Sequence, residues 1–444
     1  MSERIVIRGG RVIDPATKLD TIADVLVEDG RVSAVGAGLA ADGAREIDAR
    51  GLVVAPGFID LHTHLRDPGL EYKEDIESGT RAAARGGFTT DCDKPNTEPA
   101  MDNRSIIEYV LREAAARGHV RVLPIGAVSK GRAGKELAEL GDLAAAGCVG
   151  FSDDGSPVHD ATLMRRALEY ASAFGLPIID HCEEKSLTQD AVMHEGWVAT
   201  RLGLRAAPAA AEESAVARDI ALAEATGAHV HIAHVSTRGA IDAVGRAKAR
   251  GVRVTAEVTP HHLTLTDEVV AFGALGGDAL LYDTSAKVNP PLRSREDVDA
   301  CVAALADGAI DCIATDHAPH AVIEKECEFD DAAFGISGLE TAFGLCMRLV
   351  HEGRMTLPAL IERLTAGPVR ALGLDRRVPG IGTLAAGAPA DIVLLDPDAE
   401  WAVEPERFAS KGKNTPLGGV TLKGAVVATI AGGRIVHESG VAVG

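Results

Sequence analysis

The sequence predicts an α/β protein, a (β/α)8 TIM-type barrel carrying a small discontinuous β-domain formed by both ends of the chain. Three observations lead there. Short β-type runs broken by turns fill the first 54 residues. Eight short apolar runs alternate with helical stretches from residue 55, and β-type runs return from residue 376. At 444 residues the chain is too long for one ordinary core and fits a large barrel plus an appended unit. The expected division is 1–54, 55–375 and 376–444.

The N-terminal runs are Ile5-Val6-Ile7, Val12-Ile13, Val25-Leu26-Val27 and Val32 to Ala34, with Gly9-Gly10 and Asp29-Gly30 as turns. No Gly-rich turn opens into a helix here, which excludes a dinucleotide-binding fold. The eight barrel runs are 57–64, 87–93, 119–127, 148–154, 177–183, 229–236, 252–259 and 311–317. Helical spacing fills 103–117, 136–146, 160–174, 211–226 and 238–250 between them. Such alternation favours a closed barrel over an open doubly wound sheet. The tail contributes Asp391 to Leu395, Val420 to Leu422, Val426 to Ile430 and Arg434 to Val436. Each end alone has little core, so the two are expected to complete one sheet.

Composition narrows the function. Hydrophobic residues at 46% and charged residues at 25% describe a soluble globular chain. A net charge of −20 excludes a nucleic-acid binder, which needs a basic face for phosphates. An anionic substrate must therefore be met by local arginines. Seven dispersed cysteines without a C-x-x-C pair read as reduced thiols. With no leader-like segment and no apolar run of membrane length, a cytoplasmic protein without membrane partners is expected.

The chemistry sits at strand ends. In 57–66, GFIDLHTHLR, residues His62, His64 and Arg66 alternate and so share one face of an extended strand. Paired imidazoles suit a divalent metal, and a guanidinium suits a substrate carboxylate. Barrel active sites form at the C-terminal strand ends, where this chain also carries Asp153, Asp154, His181, His234 and Asp316. A single buried histidine is usually structural. Four of them with carboxylates at one barrel mouth form a ligand set for Zn²⁺, large enough for two ions if one carboxylate bridges. His261 and His262 read as a strand-end pair, and His229 and His231 as core positions facing away from His234.

The motifs resemble those of the dihydroorotases, cyclic-amide hydrolases of the amidohydrolase superfamily. They are residues 60–69 (DLHTHLRDPG), 94–97 (KPNT), 181–184 (HCEE), 287–293 (KVNPPLR), 314–320 (ATDHAPH) and 334–341 (FGISGLET). The resemblance covers essentially the whole chain. It implies a zinc-dependent dihydroorotase, which interconverts N-carbamoyl-L-aspartate and L-dihydroorotate in pyrimidine biosynthesis. It implies two zinc ions, one on His62 and His64 and the other on His181 and His234. Asp316 is implied as ligand to the first ion and general acid/base, acting with a metal-activated water. Arg66, Asn96 and Asn289 are implied to bind substrate, and His320 with the backbone of Phe334 and Gly335 to complete the pocket.

Many relatives place a carboxylated lysine on the fourth strand, but this one, residues 148–155 (CVGFSDDG), has none. That resembles the bacterial dihydroorotases with an aspartate bridge, and spacing from His64 and His181 favours Asp154 over Asp153. Lys130 and Lys135 read as solvated surface charges. The chain departs from the family pattern at Asp91-Cys92-Asp93-Lys94, where an apolar residue usually precedes the proline, and at Thr284-Ser285-Ala286. A hydantoinase or allantoinase is the alternative enzyme, opposed by Arg66 and the Asn289 motif. A non-catalytic partner of aspartate carbamoyltransferase is opposed by the complete histidine set. The resemblance leaves a homodimer and an association with aspartate carbamoyltransferase open.

Overall fold

β-Branched runs and tight turns shape the start of the chain. In the computed structural model, which describes residues 4–40, 42–277 and 280–439, β1 (Ile5–Asp14) and β2 (Leu19–Glu28) pair antiparallel, as do β2 and β3 (Arg31–Gly36). Asp29 and Gly30 both take positive φ (51° and 73°), the conformation a two-residue hairpin loop requires. β4 (Arg45–Asp48) and β5 (Val53–Pro56) run parallel to β1.

Parallel strands follow. β6 (Phe58–Thr63), β7 (Phe88–Asp93) and β8 (Arg121–Pro124) form one sheet. β9 (Ile178–Asp180) is followed by a small side pair, β10 (Met193–His194) and β11 (Ala206–Ala207). β12 (Val230–Ile232), β13 (Val254–Val258) and β14 (Cys312–Ile313) join β9 in the order β14-β13-β12-β9. Isolated parallel bridges Gly126–Phe151, Phe151–Ile178 and Thr63–His317 link the edges of the two sheets.

All eight expected runs therefore supply strand pairing, the fourth through isolated bridges at Phe151 flanked by backbone hydrogen bonds of Val149, Gly150 and Ser152 to Pro124 and Gly126. Gly150 lies against Ile179, whose Cδ1 would be 2.8 Å from an added Cβ. Three residues on, Asp153 spends its carboxylate on the backbone N–H groups of Val128 and Ser129. The ladder ends there.

The helices sit where their spacing placed them, with start signals in position. Asn103, Asp160 and Thr237 cap helices Arg104–Arg117, Ala161–Ser172 and Arg238–Ala249 by accepting backbone N–H groups. The helix expected over 136–146 begins only at Leu140, because Leu137 bridges to Ser129 instead. Inside the strands lies an aliphatic plug of Ile59, Leu61, Leu123, Ile125, Val149 and Ile179, and each such side chain contributes roughly 1.5–3 kcal/mol on burial. The plug floors the strand ends that carry the polar cluster.

The tail returns to the first sheet. β15 (Ile392–Ala402), β16 (Thr421–Ala431) and β17 (Arg434–Glu438) extend it in the order β17-β16-β15-β5-β1-β2-β3. Ile5, Ile7, Val25, Val54, Ile392 and Ile430 share its apolar core. Residues 1–3 and 440–444, the extremes of the two expected segments, lie outside the described residues. Among the described residues, no helix is long and apolar enough to cross a membrane.

Candidate metal centre and active site

Strand ends deliver the polar cluster. His64 N–H donates to the His317 carbonyl (3.0 Å), which draws the chain after β14 against the end of β6 and brings Asp316 beside His64. Arg66, His234 and Asp316 all take positive φ (63°, 31° and 49°). Non-glycine residues rarely adopt that conformation, and it turns their side chains over the mouth of the strands.

His62, His64 and Asp316 form one group, and His62, Asp154 and His234 another. His64 Nε2 lies 3.0 Å from Asp316 Oδ1, His62 Nε2 3.4 Å from the same atom, and His62 Nε2 3.2 Å from Asp154 Oδ1. Asp154 Oδ2 lies 3.6 Å from His64 Nε2. Ligand atoms held at about 2.0–2.1 Å on a tetrahedral ion sit roughly 3.3 Å apart, so the spacing fits. His62 Nε2 and Asp154 Oδ1 are buried without a hydrogen-bond partner. Orphaned atoms of this kind are costly unless something else binds them, and an imidazole–carboxylate set suits a divalent cation.

The far side of each imidazole is fixed. His62 Nδ1 donates to Glu257 Oε1 (2.6 Å) and His64 Nδ1 to Asn96 Oδ1 (2.8 Å), which leaves both Nε2 lone pairs facing the centre. His181 Nδ1 lies 2.9 Å from His234 Nε2, itself 4.0 Å from Asp154 Oδ1, while His181 Nε2 donates to Glu183 (3.0 Å). Burial opposes a charge on Asp316, but His62 and His64 overcome it and hold its carboxyl well below the usual range.

Of the two candidate bridges, Asp154 carries its carboxylate to the histidines, and Asp153 holds the neighbouring loop. Arg66 is buried beside His320 (3.5 Å between Nη2 and Nε2) and the Pro319 carbonyl. His320 also meets the Phe334 carbonyl at 2.9 Å. Asn289 turns toward His181 (3.2 Å) and Glu183 (3.0 Å). The Gly335 N–H is spent on the Lys287 carbonyl, so only its close backbone packing faces this region. A small cavity of about 80 Å³ lies between Glu183, Asn289, Arg293 and Phe334.

Two central residues were missed as site members. Glu257 grips His62 with one oxygen and His231 with the other (3.0 Å), and its signal was the lone charge in the strand Val254–Val258. Lys94 entered only as the first residue of the 94–97 motif and as a departure from pattern, with no role of its own, yet it is fully buried with Nζ 3.6 Å from Asp154. His229 and His231 are satisfied by Thr255 and Glu257, and His262 by Thr259 and the Pro290 carbonyl.

Comparison with known proteins gives the lineage. A family model described as Dihydro-orotase-like matches residues 51–240, and one described as Amidohydrolase family matches residues 198–437. The chain is 56% identical over 441 residues to a dihydroorotase of Anaeromyxobacter sp. (strain K), covering 99% of both chains. The chain belongs to the dihydroorotase family. A dihydroorotase of Syntrophotalea carbinolica is 53% identical over 435 residues, with 98% of this chain and 99% of that one covered. Among solved structures, L-hydantoinase from Arthrobacter aurescens superposes with a TM-score of 0.86 at 27% identity, over 99% of this chain and 97% of that one. The family thus shares its α/β architecture with hydantoinases, so the choice between substrates falls to the residues around the centre.

Proposed function

We propose that this chain is a metal-dependent dihydroorotase that interconverts L-dihydroorotate and N-carbamoyl-L-aspartate. The observation that carries the reading is one mouth holding both a buried imidazole–carboxylate cluster and Arg66, a buried guanidinium with no carboxylate of its own within ion-pair distance among the described residues. A hydantoin ring bears no ring carboxylate for such a guanidinium, whereas dihydroorotate does.

In this reading His62, His64 and Asp316 hold one Zn²⁺, His181 and His234 hold a second, and Asp154 lies between them. Bound zinc would polarise the ring carbonyl and make water nucleophilic near neutral pH. Arg66 takes the substrate carboxylate in a bidentate pair, and Asn96 and Asn289 orient the ring. As water oxygen bonds to the ring carbonyl carbon, Asp316 accepts its proton. The carbon–nitrogen bond then breaks, and Asp316 returns the proton to the departing nitrogen. The reverse sequence closes the ring. His320 positions Arg66 through the contact between them.

Two architectural readings accompany this. Residues 55–375 form a closed eight-stranded barrel, supported by the three isolated bridges between the parallel sheets. Residues 1–54 and 376–444 form one β-domain, supported by the pairing of β5 with both β1 and β15. The functional test is turnover of L-dihydroorotate, N-carbamoyl-L-aspartate, hydantoin and allantoin by zinc-loaded protein. Preference for the first two is expected. Faster turnover of hydantoin or allantoin would overturn the reading.

A further inference from the structure

Lys94 takes no part in the roles above, yet it lies at the centre. It follows β7, and its N–H donates to the Thr63 carbonyl (2.9 Å), which fixes its backbone at the mouth of the strands. Its side chain is 0% exposed, and Nζ has no hydrogen-bond partner among the described residues. Its ion-pair contact is Asp154 Oδ1, 3.6 Å away. That oxygen also faces His62 Nε2 and His234 Nε2, at 3.2 and 4.0 Å. A buried ammonium without hydrogen bonds is costly, so Asp154 is its counter-ion. The same carboxylate is the one both metal positions would share.

We propose that the Lys94 ammonium is a built-in cation that competes for Asp154, so the centre holds one divalent ion tightly and a second only weakly. The proposal rests on the metal-site reading above. The position at His62 and His64 keeps a carboxylate of its own in Asp316. Among the described residues, the position between His181 Nδ1 and His234 Nε2 has Asp154 to share, Glu183 being held on the far nitrogen of His181. With Asp154 engaged by Lys94, it presents two neutral imidazoles beside a like charge that burial keeps from water. Repulsion of this kind weakens a second ion by on the order of 10²-fold or more.

The test is zinc binding to metal-stripped full-length protein, read as ion count by native mass spectrometry and as affinity by equilibrium dialysis. Wild type should retain one ion tightly and take the second roughly 10²-fold more weakly. Lys94→Met should take two ions with affinities within about tenfold of each other. Lys94→Gln gives a second reading if the methionine variant unfolds. Two equally tight ions in wild type, or an unchanged gap in the variants, would overturn the proposal. A CO2 adduct on Lys94 would make it an anionic ligand and overturn it as well. If no protein in the series binds zinc, the metal-site reading itself fails.

Discussion

Glutamine in place of Glu257 removes one negative charge behind His62 while keeping shape and hydrogen-bonding capacity. Both Glu257 and His62 are 0% exposed, and their contact of 2.6 Å is short enough to be a charge-assisted hydrogen bond. The second oxygen holds His231 at 3.0 Å, so the amide must turn its NH2 toward one ring or the other. Either way one imidazole loses an acceptor. Charge-assisted bonds contribute about 1.5–3 kcal/mol and neutral ones about half that, so the loss at His62 is about 1–2 kcal/mol. That converts to a drop in metal affinity of about 5- to 30-fold, which overlaps the range of roughly 10- to 100-fold typical when a carboxylate behind a ligating histidine is lost. Glu257→Ala should cost more, because both imidazoles are then left unpaired in a dry core. Competition between protein and a metal-indicator dye measures the affinity, with thermal unfolding as a folding control. If Glu257→Gln binds zinc within a factor of about two of wild type while folding normally, the carboxylate is not tuning His62 and the reasoning is wrong.

Arg66→Ala should raise the Michaelis constant on the order of 10²-fold or more while leaving zinc content unchanged, since a buried charge partner contributes about 2–5 kcal/mol and a guanidinium is no ligand. An unchanged constant would dismiss Arg66 as the carboxylate anchor. Asp316→Ala should cut turnover by roughly 10²–10⁴ and also lower zinc retention, which steady-state kinetics beside metal analysis would read. Gly412→Ala would set a Cβ 2.5 Å from Pro319 Cβ and 2.7 Å from the His320 nitrogen. Pushing that segment off Arg66 should weaken substrate binding on the order of tenfold with metal content intact, and normal kinetics would contradict it. Burial raises Asp267 to about 7, so the native state holds a proton that the unfolded chain loses near pH 4. Stability should therefore fall as pH rises from about 4 to about 7. Asp267→Asn should recover about 1–2 kcal/mol at pH 8 after allowance for solvent screening, and equal unfolding temperatures for both proteins at pH 8 would contradict this.

What could be read from the sequence was local. The i, i+2 spacing of His62 and His64 is a property of one strand, and the caps at Asn103, Asp160 and Thr237 are properties of single helix starts. The fourth run looked as good as its neighbours, because nothing within it says that Asp153 will bond a loop 24 and 25 residues earlier. Glu257 passed unremarked within its strand, because its partner His62 lies 195 positions away, beyond any spacing rule. Lys94 was visible as an oddity. Only packing reveals that its chain runs inward to Asp154 instead of out to solvent.

The sheet that joins both ends of the chain constrains how the protein can be made. β5 pairs with β1 on one side and with β15, through Val53–Leu395 and Pro56–Ile392, on the other. On a ribosome, the first strands emerge long before residue 392 is synthesised. Until then the outer edge of β5, made of Val53, Val54 and Ala55, offers unpaired amides and carbonyls to any passing strand. The interval is long, since translation proceeds at about 5–20 residues per second and closing so large a loop is entropically costly. Overexpression, which crowds many such half-made chains together, should therefore aggregate through this edge before any chain is complete. Slower synthesis at low temperature is the natural remedy.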